Sequence, residues 1–353
     1  MQPGLEGVIV AETVLSHSDP ERGGLWVRGR PIAELVEHEG YEGTVALLWE
    51  GFAGRNFTRA IVQQNFGAAR QEAFAHVGEW LSVAKERPLD EAVRIGLALL
   101  PDRTDPAAIV ATLAVFVAAA VRARAGKAPL CPDPNLPVAA DVLRMLHDVP
   151  PSEPMAKALD TYLTVMAESG LGPATFTART VASTRASLVT AVLAAWCSFT
   201  GPSHGGAPGP TLDVLDAAAA VDDLDAWIER KLTAGERIAG FGHRVFPGND
   251  PRAAAMHDAI KCVDANASRL EFAARLEQQV AVVVERINPR RRLPANVEVM
   301  AALLLDALSI PHEAFTAIFS IARSAGWIAH ALEQQQTGRM IRPASHYVGP
   351  PIV

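Results

Sequence analysis

An all-α architecture with a short β segment at the amino end is the fold class this chain predicts, on three observations. Apolar residues recur at helical spacing almost everywhere after residue 40. Alternating strand patterns are scarce, confined to residues 7–15 and 24–28. Proline and glycine break the helical runs at Pro132-Asp133-Pro134, Pro150-Pro151, Gly201-Pro202, Gly209-Pro210, Pro289 and Pro311.

Taken in order, the two alternating segments predict a small hairpin or ribbon. The 3.6-residue period then predicts helices over 32–49, 106–125, 153–168, 175–199, 221–233, 252–265, 269–287, 297–308 and 313–336. The stretch 106–121 is the most membrane-like, yet it is too short and too alanine-rich to span a bilayer comfortably. It predicts a core or subunit-interface helix.

At 353 residues the chain is long enough for two domains or one large one. Hydrophobic residues at 49% and charged residues at 20% describe a soluble globular protein. A net charge of −7 argues against nucleic-acid binding through bulk positive charge, leaving Arg290-Arg291-Arg292 as a local basic patch. Cys131, Cys197 and Cys262 are far apart, without metal-ligand spacing, and predict reduced, mostly buried thiols in a cytoplasmic protein. Residues 1–7 lack the basic start and apolar stretch of a secretory leader.

Two histidines sit in glycine-flanked segments, Gly201-Pro202-Ser203-His204-Gly205-Gly206-Ala207 and Gly240-Phe241-Gly242-His243-Arg244. Arg252 follows in Asp250-Pro251-Arg252 and Glu298 in Asn296-Val297-Glu298. Glycines let backbone and imidazole approach a ligand closely. Two imidazoles, one carboxylate and several arginines outline a site that moves protons at carbon and oxygen on anionic substrates. Arg323, inside an apolar helix, needs an anion partner, because an unpaired buried charge is costly. Taken singly, each has a structural reading: a satisfied histidine, a helix-start arginine, a first-turn glutamate favoured by the helix dipole, a solvated tail arginine at 342.

These segments resemble the citrate synthase family in its shorter bacterial form. The likeness runs in register through Gly4-Leu5-Glu6-Gly7-Val8, Arg28-Gly29, Ala46-Leu47-Leu48-Trp49, Thr175-Phe176-Thr177-Ala178-Arg179 and the two histidine segments. It continues through Asn296-Val297-Glu298, the stretch 315–327, Arg342-Pro343 and Tyr347-Val348-Gly349-Pro350. The resemblance implies an all-α homodimer in which a small helical domain closes over a cleft in a large one. The expected boundaries are 1–205 and 309–353 for the large domain and 206–308 for the small one. It also implies a Claisen condensation of acetyl-CoA with oxaloacetate, then thioester hydrolysis to citrate and CoA. No metal or cofactor is implied beyond the CoA thioester, and no nucleic acid or membrane.

By the same resemblance Glu298 is the base and His204 the donor to the thioester oxygen, while His243 donates to the ketone oxygen. Arg252 and Arg323 would hold the dianion, since planar guanidinium forks match carboxylates. Arg342 would reach across from the other subunit. His312, His330 and His346 are left structural or solvated.

The chain departs from the family at several positions. The family base is usually aspartate, and glutamate adds a methylene, a displacement of about an ångström that can cost on the order of 100-fold in rate if uncompensated. Ser169 and Gly172 stand where a histidine and an asparagine are common on the acceptor side. A lost charge-assisted hydrogen bond is worth about 1.5–3 kcal/mol, so weaker or altered acceptor binding is expected. Pro247-Gly248 replaces a basic CoA contact, leaving Arg244 or Arg290, Arg291 and Arg292 to meet CoA phosphates. The competing readings are a relative such as 2-methylcitrate synthase, a paralogue that binds CoA or a dicarboxylate without turnover, and a metal site of His204, His243 and Glu298.

Overall fold

The helical period governs nearly the whole chain in a computed structural model, which describes residues 3–5, 7–19, 23–53, 57–201, 204, 208–242, 250–264 and 268–350. The small sheet is an antiparallel meander of Ser16–Asp19, Gly24–Val27 and Arg30–Pro31. Trp26 faces His17 on one side and Pro31 on the other. The first strand thus lies after the expected 7–15 segment. Ile9 and Val14 are exposed there, so the alternation has no face to bury. Leu15, Leu25 and Val27 turn inward instead.

The 32–49 period is realised as Ile32–Glu34, a π-helical turn Leu35–Glu39 and Gly40–Trp49. Five further helices, Arg59–Ala75, Val77–Ala84, Leu89–Ala98, Val138–His147 and Pro208–Ala219, add to those expected. The single helix expected over 175–199 is two, Pro173–Ala182 and Leu188–Phe199. Arg185 takes a left-handed φ of 68° between them, and the Ser187 hydroxyl accepts the Thr190 N–H at 3.1 Å to start the second. Apolar periodicity runs on across this break; the polar Ser183-Thr184-Arg185 marks it.

Helix Phe315–Thr337 is the axis of the body. It packs against Pro173–Ala182, Pro106–Arg124, Leu188–Phe199, Glu153–Met166 and Gly40–Trp49. Small residues on it, Ala322, Ala325, Gly326 and Ala329, let neighbours approach closely. At Gly326 an added Cβ would stand 2.4 Å from the Ala167 carbonyl oxygen, so only glycine fits. Pro106–Arg124, among the described residues the one helix long and apolar enough to cross a membrane, is buried along most of its length and behaves as a core element. Its start is fixed by Asp105, whose carboxylate accepts the Ala108 N–H at 3.0 Å. Trp80 stacks on its Phe116 with ring centroids 4.3 Å apart.

Farther along, Pro208–Ala219 packs on Val297–Ala307, and Leu224–Thr233 on Ser268–Ile287. Pro251–Val263 joins this group to the body by packing on both Val297–Ala307 and Glu153–Met166. The cysteines correct the expectation of buried thiols: Cys131, Cys197 and Cys262 are all exposed and unpaired.

Candidate active site

Helix starts leave backbone N–H groups without partners, and three of them supply the site. Helix Pro173–Ala182 begins after Gly172, which has no side chain to cap it. His204 does so instead: the Ala174 N–H donates to its Nε2 at 3.3 Å. A ring nitrogen that accepts carries no proton, so the neutral imidazole holds its hydrogen on Nδ1. Burial, and then the nearby Arg323 cation, push the His204 pKa down to about 4. The ring is therefore a neutral donor at physiological pH. Phe199 fixes its plane edge-to-face, with centroids 5.3 Å apart, and touches Phe319 and Trp327 in the same manner.

Arg323 is buried on Phe315–Thr337. Its Nε donates to the Met166 carbonyl at 2.6 Å and its guanidinium lies 5.0 Å over Phe319. Burial lowers its pKa to about 10; the Glu168 carboxylate opposes that shift and the Arg252 cation adds to it. It remains charged at neutral pH. Two cations close enough to repel, inside a mostly buried site, suit a dianionic ligand.

Arg252 stands in the first turn of Pro251–Val263. Asp250 caps that turn, accepting the Arg252 backbone N–H at 3.0 Å, and grips the guanidinium through Nε at 3.0 Å and Nη2 at 2.7 Å. The fork is thus oriented by a buried partner two residues away, which the sequence reading missed. The Asp-Pro pair before a helical run was its signal.

Glu298 stands in the first turn of Val297–Ala307, capped by Asn296, whose side-chain oxygen accepts the Glu298 N–H at 2.8 Å. Burial raises the Glu298 carboxyl above its ordinary value; Asn296 at 3.4 Å and the Arg252 cation work against that rise. A bridge pairs Phe241 with Ala295. Gly242 N–H donates to the Pro294 carbonyl at 2.8 Å, and Asn296 Nδ2 to the Gly242 carbonyl at 3.2 Å. The backbone leading to position 243 is thereby tied to the cap of the Glu298 helix.

His204, Arg323, Arg252 and Glu298 are linked in that order by mutual charge interactions. Among the described residues, Arg342 and Arg290, Arg291 and Arg292 are not linked to this group. Arg342 is exposed on the extended tail. Arg290, Arg291 and Arg292 are exposed between Ser268–Ile287 and Val297–Ala307, with Arg292 paired to Glu285 at 2.6 Å. His243, Arg244 and Pro247 lie outside the described residues. An added Cβ on Gly172 would meet Cε1 of His204 at 3.7 Å, so position 172 borders the imidazole. Among the described residues, no cluster of histidine, cysteine, aspartate or glutamate could hold a metal ion.

A buried polar group beside the site also escaped the sequence reading. Glu168, Arg179 and His330 form one hydrogen-bonded chain, with His330 completely buried. Charged residues set in apolar helices were the available signal, since such groups must be paired.

Comparisons with known proteins bear on the family and the fold. The family model described as "Citrate synthase, C-terminal domain" matches residues 4–344. The citrate synthase of Haloferax volcanii is 32% identical over 370 aligned positions, covering 99% of this chain and 96% of that protein. The crystal structure of citrate synthase from Thermotoga maritima superposes with a TM-score of 0.87 at 27% identity, covering 100% of this chain and 97% of that one. A Thermoplasma acidophilum citrate synthase, solved as a ternary complex with carboxymethyl coenzyme A and oxaloacetate, shares the fold at a TM-score of 0.84 and 18% identity, covering 100% and 98%. With residues 4–344 matched by the family model, and nearly the whole chain by relatives above 30% identity and by the fold, the chain belongs to the citrate synthase family.

Proposed function

We propose that the protein condenses acetyl-CoA with oxaloacetate and hydrolyses the resulting thioester, releasing citrate and CoA. The observation that carries this reading is the state of His204. Its Nε2 is occupied by the Ala174 N–H, leaving a neutral ring with Nδ1–H to donate, in a site shared with a carboxylate and two guanidinium groups. A thioester α-hydrogen is only weakly acidic, so its removal needs a base and a preorganised donor to the developing enolate oxygen.

Glu298 takes a proton from the acetyl methyl group while His204 Nδ1–H donates to the thioester oxygen. The enolate carbon then attacks the ketone carbon of oxaloacetate, whose oxygen receives a hydrogen bond from His243. Water cleaves the citryl thioester. A base with a raised pKa loses less driving force in taking a carbon-bound proton than an ordinary carboxylate would. Arg252 and Arg323 hold the two acceptor carboxylates, and Arg342 of a second subunit adds a third guanidinium, making the homodimer the working unit. The segment 206–308 closes as a small lobe over 1–205 and 309–353. CoA phosphates meet Arg244 or the exposed Arg290, Arg291 and Arg292. The steps use no cofactor besides the CoA thioester, and the protein works in the cytoplasm.

Gly172 itself puts no side chain beside Cε1 of His204, which favours a second reading with a longer acyl group such as propionyl-CoA. The test is free-thiol release, followed with a chromogenic disulfide, from acetyl-CoA and propionyl-CoA with oxaloacetate. Release from acetyl-CoA at the higher kcat/KM supports the first reading. Strong preference for propionyl-CoA selects the second. No release from any pair of short acyl-CoA and 2-oxo acid leaves a protein that binds CoA or a dicarboxylate without turnover.

A further inference from the structure

Glu168 follows helix Glu153–Met166 and is fully buried, yet no step above uses it. Its Oε1 gathers three donors: the Ser16 hydroxyl at 2.8 Å, the Gly170 N–H at 2.6 Å and Nε2 of His330 at 3.2 Å. Its Oε2 has no hydrogen-bond partner among the described residues and lies over Gly326. The direction of the His330 bond follows from its other nitrogen. Arg179 can only donate, so His330 Nδ1, at 3.0 Å from Nη1, accepts and the ring proton sits on Nε2, aimed at Glu168. Arg179 is itself fixed by Glu333 and by the side-chain oxygen of Gln334 at 3.0 Å. Glu333 also accepts the Val14 N–H at 2.9 Å, so the amino-terminal segment is bound into the same group.

This group holds the short turn 168–174. Gly170 takes a φ of +86°, a conformation open to glycine, and its N–H is the one delivered to Glu168. Its carbonyl accepts the Gly172 N–H at 3.0 Å, and the helix that donates to His204 starts one residue later. Burial works against the Glu168 charge, but the His330 ring, Arg323 and the Ser16 hydroxyl together hold its pKa below the ordinary value. The turn is therefore clamped by an anion whose three donors come from the first strand, the turn itself and helix Phe315–Thr337.

We infer that Glu168 and His330 are positioning residues for His204: clamped by Arg179, they hold the 168–174 turn so that the Ala174 N–H meets Nε2 of His204 and the ring proton stays on Nδ1. The structural part stands on the contacts alone. Only the kinetic consequence rests on the proposed condensation.

The test reads the His204 tautomer by 15N NMR of histidine-labelled protein at neutral pH, alongside kinetics with acetyl-CoA and oxaloacetate. In the unaltered protein the proton is on Nδ1. In Glu168→Ala the signal shifts mostly to the Nε2–H form, and kcat falls about 100-fold while the oxaloacetate KM changes less than about threefold, because donor placement rather than acceptor binding is lost. Glu168→Gln, whose amide oxygen can accept the same three donors, restores the Nδ1–H form and most of kcat. His330→Asn leaves Arg179 a partner but reaches Glu168 poorly, and shifts the tautomer in the same direction; it decides the question should Glu168→Ala not fold. An unchanged Nδ1–H signal in Glu168→Ala, or in His330→Asn where the former is unfolded, overturns the inference. If the unaltered protein shows no turnover, the condensation fails while the tautomer measurement still judges the positioning role.

Discussion

Ala174 and His204 are joined by a backbone N–H donating to Nε2 across 3.3 Å, and that contact assigns the imidazole its chemistry. A helix N-terminus carries partial positive charge, which disfavours a protonated ring beside it. Burial and Arg323 act in the same direction. His204 is thereby kept neutral and keeps one proton to donate, on the nitrogen that faces away from the helix.

The pH dependence of kcat/KM follows from two opposite shifts. Glu298 must be ionised to act as base, and burial raises its pKa above the ordinary 4.5. Activity therefore falls as pH drops through that raised value, before His204 begins to protonate near 4. Stability responds with opposite signs. Between about 4 and 6.5 the unfolded chain binds the His204 proton and the folded chain does not, so this contribution is lost as pH falls through that window. Glu298 favours the protonated folded form just above 4.5, so its contribution declines as pH rises there. A pH–rate profile with an acid limb at an ordinary carboxylate value would contradict the assignment of Glu298.

Replacing Arg323 by lysine removes a planar fork and leaves a more easily discharged amine in a buried place. A lost charge-assisted bond of about 1.5–3 kcal/mol corresponds to a rise of about 10- to 150-fold in the oxaloacetate KM. The acetyl-CoA KM should change little. Equal changes in both would place Arg323 elsewhere than at the acceptor.

Gly326→Ala places a methyl group 2.4 Å from the Ala167 carbonyl and 2.5 Å from Oε2 of Glu168. Backbone on one side and a clamped carboxylate on the other cannot both give way. Overpacking of this kind costs about 1–3 kcal/mol, so thermal unfolding should begin several degrees lower. An unchanged midpoint would show that the helix and the turn are looser than drawn.

The proposed sharing of the site between two subunits predicts rescue between inactive partners. Arg342→Ala and His204→Ala homodimers should each be nearly inactive. Unfolded together and refolded as a mixture, they should regain about a quarter of full activity, because half of random dimers are hybrids and each hybrid has one intact site. No recovery, with hybrids demonstrated by mass, would confine Arg342 to its own subunit or to the solvent.

Much of this was legible in the sequence because the helical period and the glycine-flanked histidines are local signals. The strand expected at 24–28 is Gly24–Val27, but its partner lies at Ser16–Asp19 and not at 7–15, since alternation at 7–15 matches a strand that has nothing to pack against. The break at 183–187 was passed over because apolar spacing continues across it. His204, Arg252, Arg323 and Glu298 were all named, and they do interact as charges. What was not legible is how each is held. Ala174, Asp250, Asn296 and Glu168 act through backbone N–H groups and buried oxygens, and those partners emerge only when distant helices pack.

The most direct measurement is deuterium uptake from heavy water into the methyl group of acetyl-CoA, with an unreactive oxaloacetate analogue bound. It isolates the deprotonation assigned to Glu298 with His204 as donor. Uptake by the unaltered protein, slowed at least about 100-fold in folded Glu298→Gln and His204→Ala, is the predicted result. Undiminished uptake in either variant would contradict the account.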